Sequence, residues 1–73
     1  MNPIEYTIII EPAGDNWSGY SPDVPGVIAT DETAEACAER LRDAIVFHVE
    51  GLKRHGYPVP QPLAQVSSVK VAA

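Results

Sequence analysis

The sequence predicts an α+β fold of order β-β-β-α-β, with four strands arranged 3-2-1-4 across one sheet and one helix on one face. Three features predict it: alternation over residues 4–11, an apolar stripe at helical period from Ala34 to Leu52, and a valine-rich segment, Gln65 to Val71, beyond a run of prolines.

Strand 1 covers residues 4–11, because Ile4, Tyr6, Ile8 and Ile10 fall on one face while Glu5, Thr7, Ile9 and Glu11 fall on the other. Pro12-Ala13-Gly14-Asp15-Asn16 is a hairpin loop in which Gly14 and Asn16 tolerate positive φ. Trp17 to Ser21 returns as strand 2. Pro22-Asp23-Val24-Pro25-Gly26 reads as irregular, since two prolines fix φ and remove donors, and Val27 to Thr30 makes a short strand 3.

The helix begins at Thr33, whose hydroxyl can cap the free N-terminal amides. Asp31, Glu32 and Glu35 suit the positive end of its dipole; Lys53, Arg54 and His55 suit the negative end. Ala34, Cys37, Ala38, Leu41, Ala44, Ile45, His48, Val49 and Leu52 lie within an arc of about 140°, and Val46 and Phe47 fall outside it. Gly56 fits the C′ position, and Pro58, Pro60 and Pro62 forbid continuation. Strand 4 then spans Gln65 to Val71. A right-handed crossover lays it beside strand 1, which gives the 3-2-1-4 order.

Length and charge exclude several functional classes. Seventy-three residues form one domain, 1–73. A chain of 7.9 kDa folds to a surface of about 4,400 Å² from about 11,500 Å² unfolded, a low buried fraction. One helix also covers only one face of the sheet, so Ile9 and its register neighbours, with Val46 and Phe47, are expected to be buried in a homo-oligomer, most simply a two-fold dimer. The longest apolar run, Ile8-Ile9-Ile10, cannot span a bilayer, and no signal-like segment is present, so a cytoplasmic protein is expected. Ten acidic against five basic residues, net −5, argue against direct DNA or RNA binding. A lone cysteine and two histidines exclude a disulfide framework and disfavour zinc.

Candidate chemistry is sparse. Glu5, Glu11, Asp15, Asp23 and Asp43 are the acids that could hold a catalytic metal, but the expected strand, loop and helix positions do not bring them together. His48 sits within the buried stripe and reads as a neutral core histidine bonded to a backbone carbonyl; Cys37 reads as a small apolar filler. No serine or cysteine has a visible base partner, and the glycines make no phosphate cradle. No catalytic, metal or cofactor site is assigned. Pro22, Asp23, Val24, Pro25 and Gly26 form a rigid connection, and Trp17 and Tyr20 beside it are residue types favoured at interface hot spots. The candidate partner contacts are therefore Ile9, Trp17, Tyr20, Asp23, Val46 and Phe47.

A resemblance rests on specific residues: Tyr6, Ile8 and Ile10; Tyr20-Ser21-Pro22-Asp23-Val24-Pro25-Gly26; Thr33 with Glu35; Ala44-Ile45; His48-Val49-Glu50-Gly51-Leu52; Gly56; and Pro58-Val59-Pro60-Gln61-Pro62. Over about residues 6–62 the chain resembles the HicB antitoxin family. The resemblance implies a partial ribonuclease-H-like fold and the antitoxin half of a toxin–antitoxin pair. The implied partner is a HicA-like toxin, a small basic protein that cleaves mRNA. HicB proteins commonly associate, which agrees with the expected oligomer. Family members often have Gly-Asp before the capping threonine, where this chain has Asp31-Glu32. Many also carry a C-terminal DNA-binding domain, whereas this sequence stops at Ala73, so operator binding by the chain itself is not expected. The competing readings are a solitary regulatory or scaffold protein of the same family, and a minimal ribonuclease-H-like nuclease.

Overall fold

The computed structural model describes residues 3–73; the first two residues of the expected 1–73 unit lie outside it. The elements run β1 (Ile9–Ala13), β2 (Asn16–Ser21), β3 (Val24–Asp31) and α1 (Ala34–Arg54). The three strands form one antiparallel sheet in the order β1-β2-β3, so β1 and β3 are its edges.

The helix starts and stops where its capping residues dictate. Thr33 Oγ1 accepts the Ala36 amide at 3.1 Å with an extended backbone at the cap. At the other end Tyr57 N–H donates to Leu52 O at 2.9 Å and Gly56 N–H to Lys53 O at 3.2 Å, with Gly56 at φ +74°. That pair of bonds is a Schellman motif, and it needs a residue that accepts positive φ at C′. Of the expected stripe, Cys37, Leu41 and Ile45 are buried against the sheet, and Ala34, Ala38, Ala44, His48, Val49 and Leu52 are half-buried. They pack over Val24, Val27 and Ala29, with Tyr6, Ile8 and Ile10 closing the β1 side.

Gly19, at the centre of β2, lets the helix approach. A Cβ there would stand 2.7 Å from Ile10 Cδ1, 3.1 Å from Leu41 Cδ2 and 3.3 Å from Cys37 Sγ. The approach to Ile10 Cδ1 is closer than a methyl group tolerates and the other two are tight, so an added methyl must push these packed side chains aside.

Several boundaries differ from the sequence reading. Strand 1 was expected over residues 4–11, but the ladder begins at Ile9, because Pro22 ends β2 and leaves residues 4–8 no strand to pair with on that side. The hairpin tightens to Gly14-Asp15, with positive φ at Gly14 alone, and Asn16 pairs with Ala13 inside the ladder. Val24, Pro25 and Gly26, read as irregular, belong to β3. They are tolerated because β3 is an edge and bulged. Pro25, Gly26 and Val27 lie between the Tyr20–Ile28 and Ser21–Val24 pairs, where β2 has no extra residue, and Gly26 takes φ +86°.

The largest correction concerns strand 4. Gln65 to Val71 form no strand, so among the described residues the sheet has three strands and not the expected four in order 3-2-1-4. The alternating prolines at 58, 60 and 62 carry no amide to pair, and residues beyond Ala64 meet no strand edge of their own chain. Residues 61–73 are exposed throughout.

Candidate functional site

Among the described residues, Asp23 accepts three backbone amides on its carboxylate. Its side chain is nearly fully buried, at 7% relative exposure. One carboxylate oxygen, Oδ2, accepts the Thr7 amide at 3.0 Å; the other, Oδ1, accepts the Leu63 and Ala64 amides at 3.1 and 2.9 Å. The Ala64 amide, then that of Thr7, then that of Leu63 hold its carboxyl below the usual value of 3.8, against the opposing effect of burial. Beside it, Ser21 Oγ accepts the Asp23 amide at 3.1 Å and donates to Thr7 O at 2.6 Å. Two side chains thus do for residue 7 what a continuing strand would have done. Tyr6 Oη adds a second tie by donating to Pro60 O at 2.7 Å. The Pro22–Gly26 block is therefore a clasp joining the two ends of the chain to the β2–β3 turn.

That arrangement fixes the surface. With Gly19 facing the helix, Tyr20 faces the opposite way. Tyr20 pairs with Ile9 on one side and Ile28 on the other, so the three form a continuous apolar row across the outer face. Ile28 is 74% exposed and Tyr20 40%. Glu11, Ser18 and Thr30 form the next row on the same face, a polar rim.

The expected contact residues do not gather into one patch. Ile9 and Tyr20 share the outer face. Trp17, half-buried, falls on the helix side of β2, between its pair partners Pro12 and Asp31. Val46 and Phe47 are exposed on opposite flanks of α1. Phe47 shares a groove with Ile28, Leu52 and Tyr57 on the β3 side, and Val46 one with Ile4, Tyr6 and Val49 on the β1 side. Asp23 lies beneath the surface. Ile28 was missed as a named residue, although its place opposite buried Ala29 in an alternating run marks it as outward-facing.

Asp31, like Asp23, serves local structure, and Glu5, Glu11, Asp15 and Asp43 lie apart from it, exposed. Asp31 accepts the Glu32 amide at 2.7 Å and Arg40 Nε at 3.0 Å, which together hold its carboxyl below its usual value. Among the described residues, no three of His, Cys, Asp and Glu converge as a metal site would require. His48 is half-buried in the groove beside Phe47 and Leu52, and the expected bond to a backbone carbonyl is not made among the described residues. Cys37 is buried, with Sγ 3.5 Å from Ala29 O, in keeping with its reading as core filler. No helix among the described residues is long and apolar enough to cross a membrane.

Comparison with known proteins adds the following. The model of the HicB-like antitoxins of bacterial toxin–antitoxin systems matches residues 6–71. The chain is also 32% identical over 56 residues to an uncharacterized 14.9 kDa protein from the rep–hol intergenic region of Haemophilus phage HP1 (strain HP1c1). That alignment covers 77% of this chain and 42% of the phage protein, so the chain spans less than half the length of that relative. No solved structure matches it.

Proposed function

Because the chain belongs to the HicB-like antitoxins of bacterial toxin–antitoxin systems, we propose that it neutralises a small basic HicA-like toxin by covering the surface with which that toxin binds or cleaves mRNA. The family match over residues 6–71 is the observation that carries this reading. The protein acts in the cytoplasm, by binding and not by catalysis.

The chemistry of the surface supports it. A net charge of −5 attracts a basic partner and raises the encounter rate, and it disfavours RNA approaching the complex. The outer row of Ile9, Tyr20 and Ile28 supplies an apolar centre with a polar rim, the usual anatomy of a protein interface. Phe47 and Trp17 extend contact around the edges, Val46 faces a second copy, and Asp23 contributes from beneath by holding the turn. The protein works as a homo-oligomer, most simply a two-fold dimer, in which a ribonuclease-H-like sheet is completed.

Co-expression with a HicA-like toxin, sought in the adjacent reading frame, tests the proposal. A stable complex that no longer cleaves RNA is the expected result. A pair that separates on purification and leaves cleavage intact overturns it.

A further inference from the structure

We propose that residues 65–71 of one chain form the fourth strand on the outer edge of β1 in a second copy, and that the second copy returns the exchange. The inference rests on the homo-oligomer reading above and specifies how the copies join.

The first observation is excess surface. A folded chain of 7.9 kDa should expose about 4,400 Å²; this one exposes 5946 Å². Its radius of gyration is 14.1 Å, against about 11 Å for a compact chain of this length. The difference lies in the tail, where Leu63, Val66, Val69 and Val71 are 77–84% exposed. Returning roughly 1,500 Å² per chain would bury about 3,000 Å² in a dimer, within the range of obligate homodimers.

The second observation is an open acceptor. β1 has a strand partner on one side only, and no strand pairs residues 4–8 on either side. Beside that edge lies the groove formed by Ile4, Tyr6, Val46 and Val49. Unpaired amides next to an apolar groove accept an added strand: the backbone bonds supply affinity and alternate side chains fill the groove.

The third observation is how the tail leaves. Asp23 holds the Leu63 and Ala64 amides, and Tyr6 holds Pro60, so the root of the tail is fixed at the β1 edge. Past Ala64 no hydrogen bond returns it to the described residues of its own chain. Donor strand and acceptor edge are both present in every copy, so two copies satisfy each other around a two-fold axis and the assembly closes. Charge favours the same occupant. The groove carries one charge of each sign, Glu50 and Lys53, and such a near-neutral site suits a tail whose one charged side chain from 61 to 73 is Lys70.

The test mixes two differently isotope-labelled samples of the full chain, measures the mass by light scattering, and records NOEs between unlike chains. The expected result is a two-chain mass with contacts from Val69 and Val71 methyls to Ile4, Tyr6 or Ile8 of the other chain. The double variant Val69→Asp, Val71→Asp should keep its helical circular dichroism and weaken association at least about tenfold, since an unpaired charge in a dry interface is strongly disfavoured. A two-chain mass without those contacts, or one unmoved by the double variant, overturns strand exchange and leaves the oligomer reading standing. A one-chain mass overturns both, whether the tail folds onto its own β1 or orders only when toxin is added.

Discussion

Asp23 and Ala64 are 41 residues apart in sequence and are joined by a 2.9 Å hydrogen bond from the Ala64 amide to the Asp23 carboxylate. The same carboxylate holds Thr7, so one buried side chain sets where both ends of the chain meet the sheet. The position of the C-terminal segment follows from this contact, as does the acceptor edge beside it.

The first prediction concerns that carboxylate. Its pKa is lowered in the folded state by the amides of Ala64, Thr7 and Leu63, so the stabilisation is fully present above the ordinary value of 3.8 and is lost as pH falls through the lower folded-state value. Protection of the Leu63, Ala64 and Thr7 amides, measured against their intrinsic exchange rates, should therefore fall as pH drops through the depressed folded-state value, before the helix melts. Asp23→Asn should lower protection at Thr7 or at the Leu63–Ala64 pair at neutral pH, because its one carbonyl oxygen can replace only one of the two carboxylate oxygens. Unchanged exchange at those amides in the variant counts against the clasp.

Two glycines should respond with opposite signs. Gly19→Ala places a methyl against Ile10, Leu41 and Cys37 and should destabilise by about 1–3 kcal/mol. Gly51→Ala, within α1 and with nothing inside 4 Å, should stabilise by about 0.5–1 kcal/mol through helix propensity. Thermal melts of the two variants at one concentration decide it; equal shifts in the same direction refute the packing account.

Much of this fold was legible in the sequence because its signals are local. Thr33 announces its cap and Gly56 its Schellman turn within a few residues, and the stripe from Ala34 to Leu52 needs only helical period. Elements that depend on a distant partner were not legible. The ladder start at Ile9 depends on where Pro22 stops β2, and the entry of Pro25 and Gly26 into β3 depends on that strand being an edge. The Asp23 clasp joins residues 40 and 41 positions apart, and no spacing announces such a contact. Strand 4 is of the same kind: Val66, Val69 and Val71 have a strand's composition, but composition does not say whether the segment pairs with the sheet of its own chain.

The outer row should be separable from folding. Ile28 is largely exposed, so Ile28→Lys should leave the melting temperature within the small range typical of surface changes. It should weaken toxin binding at least about tenfold if the row is the contact centre. Glu39→Lys, on the exposed face of α1, should leave the dissociation constant nearly unchanged. Equal effects of the two substitutions in a titration would remove the outer face from the account.

Electrostatic steering predicts a salt signature. With five excess negative charges on this chain, the association rate with a basic toxin should fall steeply between about 50 and about 300 mM salt, as the Debye length shortens. The dissociation rate should change much less. Stopped-flow traces showing an association rate independent of salt would contradict the charge argument while leaving the apolar contact intact.

The most direct test of the central claim is RNA cleavage by a HicA-like toxin, followed with increasing amounts of this chain. The account predicts that cleavage falls to background at a fixed stoichiometry, and that this chain alone leaves the RNA intact with or without magnesium. Cleavage that persists at saturating protein, or RNA degradation by this chain itself that disappears on substituting one of its carboxylates, would contradict it.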